Sequence, residues 1–147
     1  MRVLIIEDKP ALVEEYLRIF SHLLSDLNIT FFQVHSIEDA LNPLSAEEWN
    51  AILVDFDLGS SATFSLHEPD GMPEQIKVHN GANLVSLRRR LELSKQVHRS
   101  PILGIGHSQA LNRLHLRSGA DRALLKLNIT GMASFIRESL TKKEAAL

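Results

Sequence analysis

Two short apolar runs in this chain end in acid. Val3-Leu4-Ile5-Ile6 leads directly into Glu7-Asp8, and Ala51-Ile52-Leu53-Val54 leads directly into Asp55. Runs this short and this rich in branched residues predict buried parallel strands, and in an open α/β sheet the ligand crevice lies just beyond the strands' carboxyl ends. Three carboxylates are therefore expected in one crevice. Like charges that close raise one another's pKa unless a cation compensates them, and an oxygen-only set with few ligands and room for water suits Mg²⁺. The pattern points to a magnesium site that handles phosphate.

Five strand-like runs alternate with helical periodicities. Pro10 suits the first turn of a helix in which Leu12, Val13, Leu17, Phe20, Leu24 and Leu27 recur at helical spacing to about residue 27. Thr30-Phe31-Phe32-Gln33-Val34 predicts the second strand, and Ser36 followed by Asp39 caps a short helix that Pro43 is expected to limit to a turn or two. The third strand is 51–55. A long helix begins near Gly81 and carries Leu84, Val85, Leu87, Leu91 and Leu93, and Pro101-Ile102-Leu103-Gly104-Ile105 predicts strand four. A helix over 108–118 ends at Gly119, Arg122-Ala123-Leu124-Leu125 is the fifth strand, and Met132, Phe135, Ile136 and Leu140 mark a last helix. Right-handed crossovers turn this (βα)5 order into a doubly wound parallel sheet with helices on both faces. The expected arrangement is flavodoxin-like, with strand order 2-1-3-4-5.

One interval breaks the rhythm. Residues 57–80 separate the third strand from the next helix, where about two to six residues would be usual. They hold Gly59, Pro69, Gly71 and Pro73 amid mixed polar and apolar residues, and predict a solvated loop inserted at the crevice of a single domain spanning 1–147. His67, Glu68 and His79 could be read as a transition-metal site, but their spacing matches no ligand pattern.

At 147 residues the chain can bury roughly 70% of its unfolded surface without a staple. It has no cysteine, which removes disulfides, thiolate zinc sites and a cysteine nucleophile together and fits a reducing cytoplasm. No signal-peptide pattern opens the sequence and no apolar stretch approaches membrane-spanning length, so the expectation is a cytoplasmic protein without membrane contact. Asn28-Ile29-Thr30 and Asn128-Ile129-Thr130 spell glycosylation acceptors that such a protein would not use. A net charge of −2 gives no footprint for nucleic acid, and the Arg88-Arg89-Arg90 cluster predicts a solvated helix face.

Lys126 directly follows the apolar end of the fifth strand, where its ammonium can reach the same crevice and pair with a phosphoryl oxygen. With this lysine in place the residues resemble a known family. Val3-Leu4-Ile5-Ile6-Glu7-Asp8, Ile52-Leu53-Val54-Asp55 and Gly119-Ala120-Asp121-Arg122-Ala123-Leu124-Leu125-Lys126 look like the receiver domain of two-component response regulators. The segment from Asn80 to Arg88 resembles the opening of that family's third helix, displaced by the insertion. The resemblance implies that Asp55 is the phosphoacceptor, that Asp8 binds Mg²⁺ directly and Glu7 through water, and that the backbone carbonyl of Asp57 supplies another ligand. It implies that Lys126 holds the phosphoryl group, and that a sensor histidine kinase or phosphotransfer protein is the donor. In-line transfer needs those parts: a positioned carboxylate nucleophile, a divalent ion and a fixed cation.

The chain also departs from the family's pattern. Gly106 stands where the family has a Thr or Ser whose hydroxyl follows the phosphoryl group, and Ala123 replaces the aromatic switch residue of the fifth strand. His107 falls where a small side chain is usual and would crowd the approach to the site. Leu127 replaces a proline that has a cis peptide, so the bond before it is expected to be trans. Ser108 can be read as a substitute hydroxyl or as an ordinary helix N-cap.

Three function classes follow. The first is a phosphorylatable receiver, not a turnover enzyme, in which every residue needed for the transfer is present. The second is a pseudo-receiver that binds proteins whether or not it is phosphorylated, suggested by Gly106, Ala123 and the insertion. The third is a phosphatase of the haloacid dehalogenase type, because Asp55-Phe56-Asp57 also spells that family's nucleophile and acid, although Asp121 stands alone in the last third of the chain, where an aspartate pair is needed. With no residues left after the last helix for a DNA-binding domain, output is expected through an unidentified protein partner, by the insertion or the faces of the last two helices.

Overall fold

The apolar runs form the middle of a sheet because they are covered on both sides. Val3, Leu4, Ile5 and Ile6 are each at most 1% exposed, as are Ala51, Ile52, Leu53 and Val54. The computed structural model describes residues 1–67 and 69–145. In chain order the elements are β1 (Arg2–Ile6), α1 (Pro10–Leu23), β2 (Thr30–Val34), α2 (Ile37–Ala46), β3 (Ala51–Asp55), β4 (Ala62–Leu66), β5 (Glu74–Val78), α3 (Gly81–Leu93), β6 (Ile102–Gly106), α4 (Gln109–Arg117), β7 (Arg122–Leu125) and α5 (Ile129–Ala145). A five-stranded parallel sheet runs β2-β1-β3-β6-β7, which is the expected 2-1-3-4-5 once the two strands of the insertion are set aside.

Strand side chains alternate between two cores. Leu4, Ile6, Ile52, Val54 and Ile102 meet Ile37, Ala40 and Leu44 of α2 and Leu84, Val85, Leu87 and Leu91 of α3. Val3, Ile5, Ala51, Leu53, Leu103 and Ile105 meet Val13, Tyr16 and Phe20 of α1 and Met132, Phe135, Ile136 and Leu140 of α5. At about 25 cal/mol per Å² of apolar surface, these two layers supply most of what opposes chain entropy. No helix among the described residues is long and apolar enough to cross a membrane.

The structure corrects several expectations. The insertion is not a loop: β4 and β5 pair antiparallel, with Ala62 opposite Val78 and Phe64 opposite Ile76. Its inner face joins the core through the buried Leu66 and Val78, and Ser60 Oγ accepts a hydrogen bond from Ile37 N at the start of α2. His67 lies beyond the end of β4 and His79 beyond the end of β5, at opposite ends of the hairpin, so they share no ligand site; Glu68 lies outside the described residues. Helix α2 does not stop at Pro43 but runs through it to Ala46. Burial of Leu44 one residue later outweighs the missing donor, and the Pro43 carbonyl still accepts from Glu47 N and Trp49 Nε1. Helix α1 ends at Leu23, and Leu24 and Leu27 belong to the turn after it, where Leu27 N donates to Leu24 O. Leu93 is 84% exposed and lies off the apolar face of α3.

The arginine cluster is the largest departure. Arg88 is fully buried, and its five N–H groups go to Glu92 Oε2, the carbonyls of Leu44, Glu47 and His98, and Ser100 Oγ. Arg89 donates to Glu92, Ser100 O, Gly119 O and Asp121. The run that predicted a solvated face is a bolt holding α2, α3 and the start of β6 together, because a guanidinium buries well when every donor is met.

Candidate functional site

Ile6 stands opposite Val54, so the chain leaves β1 and reaches the end of β3 at the same edge of the sheet. Ligand oxygens of Glu7, Asp8 and Asp55 all lie within 4.8 Å of one another. Glu7 and Asp55 are each 1% exposed, and Asp8 is half-buried. Both ends of the insertion abut this cluster. Gly59 has φ +62°, and a Cβ there would lie 3.3 Å from Asp8 Oδ2. Gly81, the first residue of α3, sits so close to Asp55 that a Cβ would meet the Asp55 carbonyl oxygen at 1.9 Å, and its N–H donates to Phe56 O.

Lys126 arrives from the other side. Leu125 pairs with Gly106, Lys126 N donates to Gly106 O, and the side chain brings Nζ to 3.2 Å from Asp55 Oδ1 and 3.6 Å from Glu7 Oε1. The Lys126–Leu127 peptide is trans, as the loss of proline predicts. One ammonium faces three carboxylates. Burial, and next the charge of Asp55, push Glu7 up to about 8 against the opposing pull of Lys126. Asp55 is likewise raised, by burial first, with Lys126 drawing it back. Burial works to lower Lys126, but the charges of Asp55 and Glu7 outweigh it and hold the ammonium above its ordinary value. Among the described residues, Glu7 Oε1 and Oε2, Asp8 Oδ1 and Asp55 Oδ1 and Oδ2 are buried without a hydrogen bond. Carboxyl oxygens that face one another at the crevice with one lysine among them are what a hard divalent cation satisfies, so the donor set fits Mg²⁺.

The remaining candidates fall around the rim. The Asp57 carboxylate is not in the cluster; it turns outward, with Oδ2 3.3 Å from His107 Nδ1 and both side chains 60% exposed. Ser108 is an N-cap, its Oγ accepting from Leu111 N, and supplies no hydroxyl to the site. Ala123 borders a groove of about 410 Å³ between α4 and β7, lined also by Asn112, Leu116 and Leu125.

Sequence reasoning missed the inner face of α4. Asn112 and His115, spaced three apart, are buried on the two glycines of β6. His115 Nε2 lies 3.2 Å from the Ile105 carbonyl, which also accepts from Phe56 N, and its ring stands edge-on to Phe56. Burial lowers the His115 pKa, against the weaker opposing effect of that carbonyl. The available signal was the pair Gly104 and Gly106 in an otherwise branched strand, which marks close approach by a neighbour.

No protein-family model matches the sequence, and no curated protein matches it. Solved structures do match the fold. A CheY-like response regulator receiver domain from Methanospirillum hungatei superimposes with a TM-score of 0.65 at 19% identity, over 99% of this chain and 98% of that one. The receiver domain of a DNA-binding response regulator from Colwellia psychrerythraea gives 0.68 at 14% identity, over 96% and 98%. A Burkholderia pseudomallei response regulator with a phosphorylated aspartic acid and a calcium ion gives 0.61 at 20% identity, over 99% and 71%. The chain has the flavodoxin-like fold of response regulator receiver domains.

Proposed function

We propose that this protein is a phosphoacceptor receiver of two-component signalling. A carboxylate oxygen of Asp55 attacks the phosphorus of a phosphohistidine on a sensor histidine kinase or phosphotransfer protein. The P–N bond breaks, and the departing imidazole takes up a proton from solvent. Glu7, Asp8, Asp55 and the Asp57 carbonyl would hold Mg²⁺, which when bound spreads the negative charge on the transferring oxygens. Lys126 steadies the product by pairing with a phosphoryl oxygen. The observation that carries this reading is the set of buried carboxylate oxygens without donors beside a single lysine, at the carboxyl edge of a receiver fold. The phosphorylated aspartic acid of the Burkholderia protein supports it by likeness. The protein then acts by protein–protein contact, in the cytoplasm, and is not a turnover enzyme.

A second reading, a phosphorylation-independent binding module, is favoured by Ala123 and the open groove beside it. Incubation with Mg²⁺ and acetyl phosphate, followed by intact mass, separates the two. One added phosphate that is abolished by EDTA and by Asp55→Asn is expected. Equal labelling of the Asp55→Asn protein would overturn the assignment, no labelling would favour the binding module, and turnover of a phosphomonoester would favour a dehalogenase-type phosphatase.

A further inference from the structure

Helix α4 lies on β6 through two glycines. A Cβ on Gly104 would fall 2.3 Å from His115 Cγ, and one on Gly106 would fall 2.7 Å from Asn112 Oδ1. The space beside Gly106 is therefore filled by a side chain from the helix. His115 is held at Nε2 by the Ile105 carbonyl, and its Nδ1 is buried without a partner among the described residues. Asn112 has no such hold at its oxygen: the residue is 9% exposed and Oδ1 is buried without a hydrogen-bond partner among the described residues. A leucine, which has the same branched shape, would cover the same glycine without leaving a polar atom unpaired, so packing alone does not explain a carboxamide here.

Its location supplies a reason. Gly106 ends β6 between the two residues that matter most: Ile105 pairs with Asp55 across one edge, and the Gly106 carbonyl accepts from Lys126 N across the other. The oxygen and NH₂ of a carboxamide are nearly isosteric, and a half-turn about its last torsion exchanges them. We propose that Asn112 is the neutral donor recruited by a phosphoryl group on Asp55, its NH₂ turning toward a phosphoryl oxygen opposite Lys126. A phosphoryl group adds acceptor oxygens, which a donor of this kind satisfies. Gly106 makes the arrangement feasible, because any side chain there would occupy the place of the carboxamide. Asn112 also forms part of the wall of the groove beside Ala123, so its reorientation carries the state of Asp55 to the α4–β7 surface without a hydroxyl at 106 or a ring at 123. This inference rests on the phosphoacceptor reading of Asp55.

Beryllofluoride with Mg²⁺, a phosphoryl mimic, tests it. On binding, the side-chain NH₂ resonances of Asn112 in the wild-type protein are expected to shift and to exchange more slowly. Asn112→Leu should weaken beryllofluoride affinity about tenfold, the loss of one charge-assisted hydrogen bond, while leaving Mg²⁺ affinity unchanged. Asn112→Asp, which keeps the shape but lacks the NH₂, should lose at least as much. Wild-type beryllofluoride affinity in both variants, or an Asn112 NH₂ pair that stays still while amides next to Asp55 shift, overturns the proposal. If the wild-type protein shows no bound fluoride signal in ¹⁹F spectra, the phosphoacceptor reading itself fails and takes this inference with it.

Discussion

The two ends of the sheet bury charge in opposite ways. At the amino ends of the strands, Arg88 spends all five donors on Glu92, Ser100 and three carbonyls, while Asp121 accepts from Ile102 N, Arg89 and Arg99. Burial works against the Asp121 carboxylate, but those donors outweigh it and hold its pKa below the usual range. At the carboxyl ends, Glu7 and Asp55 are buried as deeply as Arg88, with one lysine as the cation beside them among the described residues. A charge with all its partners holds a fold together, whereas a charge without them is held by the fold for something that binds. Stability and function are thus separated along the strand axis.

Removing Arg88 should produce the largest effect. Arg88→Ala takes the guanidinium from the carbonyls of Leu44, Glu47 and His98 and from Ser100 Oγ, leaving Glu92 with only Arg89 and Ser100 N, and urea unfolding should show a loss of about 3–5 kcal/mol. The same operation at the other end should have the opposite sign. In metal-free buffer Asp55→Asn removes a buried, poorly compensated charge, and a gain of about 1–2 kcal/mol is expected. Mg²⁺ should then stabilise the wild type and do little for the variant. Loss of stability in both variants without metal would break the contrast, since the crevice would have to hold partners as good as those of Arg88.

A smaller effect follows from pH. The carboxyl of Glu7, raised to about 8 first by burial and then by the charge of Asp55, binds a proton in the folded state that the unfolded chain has released. The folded state therefore holds more protons between the unfolded and folded pKa values, and stability falls as pH rises through that window. His115 contributes with the other sign, but only below its ordinary value of 6.5, because its lowered pKa keeps the folded state from taking up a proton there. Urea midpoints between about pH 6.8 and 8.5 isolate the carboxylate effect, and in EDTA they should decline. Glu7→Gln should flatten that decline, and saturating Mg²⁺ should do the same. A wild-type midpoint that is level or rising in EDTA would mean that Glu7 is already compensated.

Most of the framework was legible because buried parallel strands and amphipathic helices write themselves in apolar runs and in three-to-four spacing. The acid-tipped runs placed Glu7, Asp8 and Asp55, and the end of the fifth strand placed Lys126. The hairpin was hidden by its punctuation. Gly and Pro suggested a loop, yet Ala62, Phe64 and Leu66 alternate with Thr63 and Ser65, Ile76 and Val78 alternate with Gln75 and Lys77, and Pro69-Asp70-Gly71 is a turn signal between them. Arg88 was misread because charge in a helix ordinarily means solvent, and the carbonyls that bury it come from α2 and from the chain before β6, which no local pattern reveals. Asn112 was invisible for the same reason: its significance lies in a glycine six residues earlier that it covers only in three dimensions.

The smallest expected effect is an absence of response at Trp49, which reports on the stable end. Its indole is 2% exposed, donates to Pro43 O, and lies beneath the Arg2 guanidinium, 4.4 Å from the ring centre. It stands just before β3 and precedes Asp55 by six residues, which at about 3.3 Å per residue of extended chain separates it from the carboxylates by roughly 20 Å. Saturating Mg²⁺ should therefore leave its emission nearly unchanged while calorimetry records binding. Arg88→Ala, by contrast, should alter it, since Arg88 holds the Leu44 and Glu47 carbonyls in the segment between Pro43, to which the indole donates, and Trp49 itself. A strong, saturable change in Trp49 emission with Mg²⁺ would mean that the two ends of the sheet move together, and that the bolt at the amino ends is part of the response to the crevice.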